Sequence, residues 1–268
     1  MQHFQRIGIL AHPLRPLTVS LAQEVARFLE ERGVAAWVRT SWETTDARAL
    51  VPGSDLVIPI GGDGAMLHAA RVCAPHNVPV LGINTGHLGF LTEISPEEWS
   101  QGLQTLLDGR FWIEERMMIR CTVRRDGVPV VESEALNDVV ISRGTIAKLV
   151  QLETYIDSGW ATTYYCDGLI IATPTGSTAY ALAVGGPILP PDLKNILVVP
   201  VAPHLSMDRA VILSEGATVR LRAYSDYPPM LTVDGQVVVE VQEGDEVVVV
   251  GSPHLARFVR VREHSYFY

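Results

Sequence analysis

Gly61-Gly62-Asp63-Gly64 joins an apolar run, Asp55-Leu-Val-Ile-Pro-Ile60, to a stretch without breakers, Ala65–Cys73. The first is β-branched and apolar, as a buried parallel strand is. The second places Met66, Leu67, Ala70 and Cys73 at helical spacing. A glycine-rich turn at a helix start offers an anion free backbone N–H groups and the positive end of the helix dipole. Asp63 is the departure. A carboxylate among phosphate-cradling glycines repels phosphate unless a divalent cation intervenes, or unless it takes a proton from a reacting hydroxyl. The combination points to phosphoryl transfer.

Three further segments could carry chemistry. Asn84-Thr-Gly-His-Leu-Gly-Phe-Leu91 follows a strand and so faces the crevice where open α/β sheets bind ligands, although it also reads as a plain tight turn. Asn137 and Asp138 stand side by side in the apolar run Leu136–Ile141, so at least one points the wrong way for a core. An amide beside a carboxylate suits ribose hydroxyls, which both donate and accept; a bulge or a solvated edge strand is the plainer alternative. Asp167–Tyr180 is a strand, a loop of small residues and a helix start, with Ser177 or Thr178 as N-cap and Tyr180 placed to pack on a sugar or base. Capping explains Ser177 and Thr178 but not the length of the loop.

Several familiar signatures are missing. A dinucleotide fingerprint needs glycine where Leu67 stands, and a Walker A loop needs Gly-Lys-Ser/Thr. Protein-kinase signatures are absent as well. The chain has 268 residues, 47% of them hydrophobic and 19% charged, which describes a folded protein of one large or two modest domains. A net charge of -9 argues against nucleic acid or an anionic membrane as partner. Lysine occurs only at 148 and 194, so a phosphorylated substrate must be met by metal, arginine or backbone N–H groups. The 3 cysteines are scattered, which fits a reducing compartment, and no zinc-type spacing occurs. The N-terminal apolar run is too short for a signal peptide, and no stretch reaches the ~18 residues of a membrane span. The expected location is the cytoplasm.

The elements that must hold these residues fall into two groups. Up to about residue 115, strands at Ile7–Ala11, Val34–Val38, Leu56–Ile60 and Val78–Ile83 alternate with helices. One helix runs from about Thr18 to Arg32, with Ser20 and Gln23 as a capping box. Another opens at Ser95-Pro-Glu-Glu98 and carries Trp99, Leu103, Leu106 and Leu107. That order predicts an α/β domain with a parallel, doubly wound sheet over residues 1–115. From 116 to 251 strand follows strand, with tight turns at Asp126-Gly127 and Asp234-Gly235 and one short helix near Ala179–Val184. This predicts a C-terminal antiparallel all-β domain.

With these residues in place, the chain resembles the bacterial NAD kinases. The resemblance rests on Gly61–Gly64, Asn84–Leu91, Leu136-Asn-Asp138, Asp167–Tyr180 and Val184-Gly-Gly-Pro-Ile188, and spans nearly the whole length. It implies transfer of the γ-phosphate of ATP, or of polyphosphate, to the 2′-hydroxyl of the adenosine ribose of NAD, giving NADP. It also implies a divalent metal, Mg2+, and a homodimer or homotetramer built through the β domain. Residues 252–268 would return to the first domain. Carried over by motif, Asp63 is the general base and Gly64 helps hold the pyrophosphate, with Gly62 and Phe90 among the binding positions. Asn137, Asp138 and Asp167 would bind adenosine and ribose groups. Thr178, Ala179, Tyr180, Ala181, Leu182 and Ala183 would line the dinucleotide site, and Lys148, Tyr165 and Gln236 would add contacts. Two departures stand out: Ala65 where many members have Thr or Asn, and Tyr165 where a charged or small residue is common. The Gly-Gly-Asp-Gly turn is shared with lipid and sugar kinases, and a non-catalytic dinucleotide sensor is the rival of another class.

Overall fold

The computed structural model describes residues 4–40, 44–86, 89–144, 148–204 and 207–263. The chain divides into two compact units, Met1–Glu115 with His254–Tyr268, and Arg116–Pro253.

The first unit opens β1 (Arg6–Ala11), α1 (Pro16–Glu30), β2 (Ala35–Thr40), α2 (Thr44–Leu50), β3 (Leu56–Ile60), α3 (Asp63–Cys73) and α4 (Trp99–Leu107). β2, β1 and β3 form a parallel sheet in that order. Buried Ile7, Ile9, Leu56, Ile58 and Ile60 pack with Ala22, Val25 and Leu29 of α1 and with Leu103 and Leu106 of α4. The expected fourth strand, 78–83, does lie beside β3, with Leu81 N–H donating to Val57 O and Ile83 N–H to Pro59 O. It forms isolated parallel bridges and no continuous ladder, because Pro59 of β3 has no N–H to give to Leu81 O. On its far side Val80 bridges Phe258, so the C-terminal segment adds the next parallel strand.

Two helix starts differ from expectation. α1 begins at Pro16, and Ser20 lies inside it, its hydroxyl donating to Leu17 O. The expected capping box is not formed. Thr18 is buried instead, accepting the His12 N–H and donating back to His12 O. Ser95 and Glu98 do pair, at 2.9 Å, but the α-helix itself starts at Trp99. The helix α2 carries no strong apolar period and was not expected.

The second unit is antiparallel throughout. It contains most of β4 (Trp112–Arg125), then β5 (Val128–Ala135), β6 (Asp138–Ser142), β7 (Val150–Ile156), β8 (Gly159–Cys166), β9 (Gly168–Ala172), the short α5 (Tyr180–Ala183), β10 (Asn195–Val201), β11 (Val211–Ser214), β12 (Val219–Tyr224), β13 (Met230–Val233), β14 (Val237–Glu240) and the first half of β15 (Glu246–Arg260), whose last residues belong to the first unit. One six-stranded sheet runs β11-β10-β9-β6-β13-β14, the other β5-β4-β15-β12-β7-β8. The turns at Asp126-Gly127 and Asp234-Gly235 have positive φ at both residues, as hairpins with matching twist require. β8, half-exposed and rich in Thr and Tyr, went unseen in the apolar pattern. The apolar run Leu136–Ile141 is strand only from Asp138, because Leu136-Asn137 separates β5 from β6. Cys73, Cys121 and Cys166 are free and buried.

Gly8 of β1 stands opposite Trp37 of β2, and a Cβ on Gly8 would overlap the indole ring. That ring is fixed by its Nε1–H donating to Ser54 Oγ at 3.0 Å. Gly8→Ala should therefore lower stability by ~1–3 kcal/mol, the usual cost of overpacking. A urea unfolding series followed by tryptophan fluorescence measures it; an unmoved midpoint would show that the ring swings away freely.

Candidate active site

In the first unit, the turn after β3 delivers Asp63 as the first residue of α3. Gly62 is the N-cap, extended at φ -96, with no side-chain cap. The carboxylate is held from the opposite side: its Oδ2 accepts the Phe90 N–H at 3.0 Å and its Oδ1 the Leu91 N–H at 3.1 Å. Charge-assisted bonds of this kind are among the stronger ones in proteins. Gly89 is required here, because a Cβ would collide with the Asp63 carboxylate. The approach to Gly89 is anchored too: Asn84 is buried and its Oδ1 accepts the Gly86 N–H, while the Gly89 N–H donates to Thr92 Oγ1. His87 and Leu88 of the same motif lie outside the described residues. Each Asp63 oxygen thus takes one backbone donor and retains a lone pair for a further proton. Burial, reinforced by Arg71 and Arg48, lowers the His68 pKa to about 4. His68 is therefore neutral at neutral pH.

In the second unit, Asn137-Asp138 opens β6, which lies between β9 and β13. Asp234 explains why the strand breaks just before. Its carboxylate accepts the N–H groups of Leu136 (3.0 Å), Asn137 (2.8 Å) and Asp138 (3.1 Å), three donors a continuing ladder would have used. From the other side, Thr173 N–H donates to Asn137 O, and the Thr173 hydroxyl donates to Leu136 O. Gly176 lies so close to the Asn137 backbone that a Cβ would overlap it. The small-residue loop is thereby accounted for: it is laid directly on the Asn-Asp pair.

These pieces line a cavity of about 320 Å³, bounded by Asn137, Asp138, Ala179, Tyr180, Thr232 and Asp234 among others. Four of the expected binding residues, Asn137, Asp138, Ala179 and Tyr180, meet there. Asp167 does not. It sits at the opposite end of β9, roughly 20 Å along the strand from Thr173 at ~3.3 Å per residue, and pairs with Arg143 at 3.0 Å. Lys148 pairs with Asp226 at 2.6 Å on the surface. Tyr165 is exposed on β8, and its carbonyl accepts the His204 N–H. Ala181 is fully buried in a cluster with Ala172, Leu197 and Val199, while Leu182, Ala183 and Gln236 are exposed. Neither Ser177 nor Thr178 caps α5, whose N-cap is Ala179. Ser177 is buried, donating to Pro174 O and accepting the Leu189 N–H at 2.9 Å, and Thr178 bonds back to Thr175 O.

Family models match the chain twice, as the ATP-NAD kinase N-terminal domain over residues 42–111 and the ATP-NAD kinase C-terminal domain over residues 136–261. The chain belongs to the NAD kinase family. It is 43% identical over 264 residues to a NAD kinase of Chloroflexus aurantiacus, covering 98% of this chain and 96% of that one. It is 37% identical over 283 residues to a NAD kinase of Cellvibrio japonicus, covering 100% and 94%. Among solved structures, yeast NADH kinase complexed with NADH superposes with a TM-score of 0.88 at 25% identity, over 98% of this chain and 85% of that one. A NAD kinase from Archaeoglobus fulgidus in complex with ATP superposes with a TM-score of 0.78 at 24% identity, over 95% and 93%. The enzyme is thus a NAD kinase with a parallel α/β region followed by antiparallel sheets. Among the described residues, no helix is long and apolar enough to cross a membrane.

In this NAD kinase, burial and then the charge of Asp234 push the Asp138 carboxyl up to about 7. The folded pKa is raised, so the penalty on ionising Asp138 is absent well below the ordinary carboxylate pKa and is fully felt above about 7. With Asp138 as the ribose contact expected from the sequence, a ribose hydroxyl would donate to the ionised form. KM for NAD should therefore fall as pH rises through about 7, and Asp138→Asn should flatten that dependence while raising KM for NAD more than KM for ATP. Initial rates at saturating ATP from pH 6 to 8.5 provide the check. A wild-type profile without an inflection near 7 would remove Asp138 from the ribose contacts.

Proposed function

We propose that the enzyme transfers the γ-phosphate of ATP, or of polyphosphate, to the 2′-hydroxyl of the adenosine ribose of NAD, with Asp63 as general base. The carrying observation is the Asp63 carboxylate itself, fixed at the N-terminus of α3 by the Phe90 and Leu91 N–H groups. A hydroxyl is a poor nucleophile, and a positioned base contributes roughly 10²–10⁴-fold. Held at both oxygens, Asp63 meets the hydroxyl proton without first losing side-chain freedom. Gly62 and Gly64 leave the turn open to phosphate oxygens. Asn137 and Asp138, with Ala179 and Tyr180 in the same cavity, hold the ribose and adenine. ATP as donor is supported by the description of the matching family.

Among the described residues no three His, Cys, Asp or Glu side chains form a metal cage. A divalent cation such as Mg2+ fits this turn as a partner of the substrate phosphates, keeping water ligands and taking at most the Asp63 carboxylate from the protein. When bound it would neutralise phosphate charge. The same reading makes the enzyme cytoplasmic, supported by its three free cysteines, and a homodimer or homotetramer. Exposed apolar side chains such as Val128, Trp160 and Val238 support the assembly.

Formation of NADP from NAD and ATP in a coupled assay tests the activity. For the base, Asp63→Asn keeps shape but cannot accept the proton. We expect kcat to fall at least ~10²-fold while NAD affinity changes less than about tenfold. Near-normal turnover in that variant sinks the assignment.

Lys148 is a proposed contact to a phosphate of NAD or the 2′-phosphate of NADP. Its pair with Asp226 is solvent-exposed, so a phosphate could displace the carboxylate. Lys148→Ala should weaken NAD binding or NADP inhibition at low salt, and the difference should shrink as salt rises. Wild-type constants at low salt would leave Lys148 a surface charge only.

A further inference from the structure

Behind the Phe90-Leu91 donors lies a buried ionic group that the mechanism so far does not use. Arg260, near the end of β15, and Glu93 each expose only 9% of their side chains. Arg260 donates to Leu91 O at 3.0 Å and to Glu93 Oε2 at 3.1 Å through Nη1, and to Glu114 Oε2 at 2.7 Å through Nε. Glu93 Oε1 in turn accepts the N–H groups of Val261 and Arg262 at 3.0 and 2.9 Å. One residue, Leu91, is therefore held at both ends: its N–H on Asp63 Oδ1, its carbonyl on the Arg260 guanidinium.

We infer that Arg260 is a positioning residue for Asp63, acting through the carbonyl of Leu91. The inference rests on the reading of Asp63 as general base. Glu93 and Glu114 give Arg260 two negative partners in a nearly dry setting, and the guanidinium fork has the planar geometry to hold both carboxylates and a carbonyl together. An ion pair alone would need only the carboxylates. The third bond goes to the backbone of the segment that orients the base. The Leu91 N–H is then placed by a buried charge from the C-terminal strand, and Asp63 inherits that placement. A shift of ~1 Å in a reacting group costs as much as 10²-fold in rate, so the link has a measurable output.

Arg260→Lys keeps a positive charge between Glu93 and Glu114 but replaces the fork by a point charge on a flexible stem. It should fold and lose kcat about tenfold, with KM for NAD and ATP within about twofold. In Asp63→Asn the same substitution should cost less than about twofold, because the group it positions no longer works as a base. Amide hydrogen exchange at Phe90 and Leu91 should quicken about tenfold or more in Arg260→Lys, with exchange in β1 unchanged. Arg260→Gln should exaggerate each effect; if it does not fold, Arg260→Lys carries the test. Wild-type kcat together with unchanged Leu91 exchange overturns the inference, as does an equal loss of rate in the Asp63→Asn background. If Asp63→Asn proves nearly as active as wild type, the base reading fails separately, and exchange at Leu91 still decides whether Arg260 holds the loop.

Discussion

A carboxylate that stands among glycines at a helix start needs donors, and this chain has few lysines to spare. With lysine at two positions and a net charge of -9, it holds Asp63 and Asp234 on backbone N–H groups. Asp63 takes those of Phe90 and Leu91; Asp234 takes those of Leu136, Asn137 and Asp138. Backbone donors do not swing away as a lysine does, so each aspartate also fixes the segment that supplies them. In the first unit this ties the helix start to the segment after strand 78–83. In the second it breaks a strand at Leu136-Asn137, just before Asp138 opens β6.

The arrangement has an electrostatic side. Burial, and then the charge of Asp234, hold the Asp138 proton up to about 7. Asp245, by contrast, is paired with Arg125 in a two-pronged contact at 2.8 and 2.9 Å, and that bond holds its carboxyl below the usual range. The same residue type is thus a strut in one place and a titrating group in another. The neighbours decide which.

Much of this was legible in the residues. The strand–turn–helix around Asp63, the change from alternating to all-β order, and the positive-φ turns at Asp126-Gly127 and Asp234-Gly235 follow from local pattern, which one sequence displays. What escaped is what depends on partners far along the chain. Asp234 looked like a turn residue, yet its carboxylate reaches backbone nearly a hundred positions away. The odd placement of two polar residues at Asn137-Asp138 was the only hint that something must bind there. Arg260 gave no local sign at all. β8 was overlooked because Thr and Tyr on a half-exposed face do not alternate with apolar residues, and α1 started early because Pro16 outranked the Ser20 signal as a first-turn residue.

The path of β15 has a consequence for how the protein is made. Its early residues pair with β12 in the second unit, while Arg257 and Val259 exchange hydrogen bonds with Val80 in the first. The parallel sheet that carries the Gly-Gly-Asp-Gly turn therefore keeps an uncovered edge at Val80 until residues 257–259 have left the ribosome. Emerging first does not let this unit finish first. Through translation of the entire β region, the nascent first unit presents an open strand edge, the kind of surface that chaperones shield and that pairs wrongly when chains crowd.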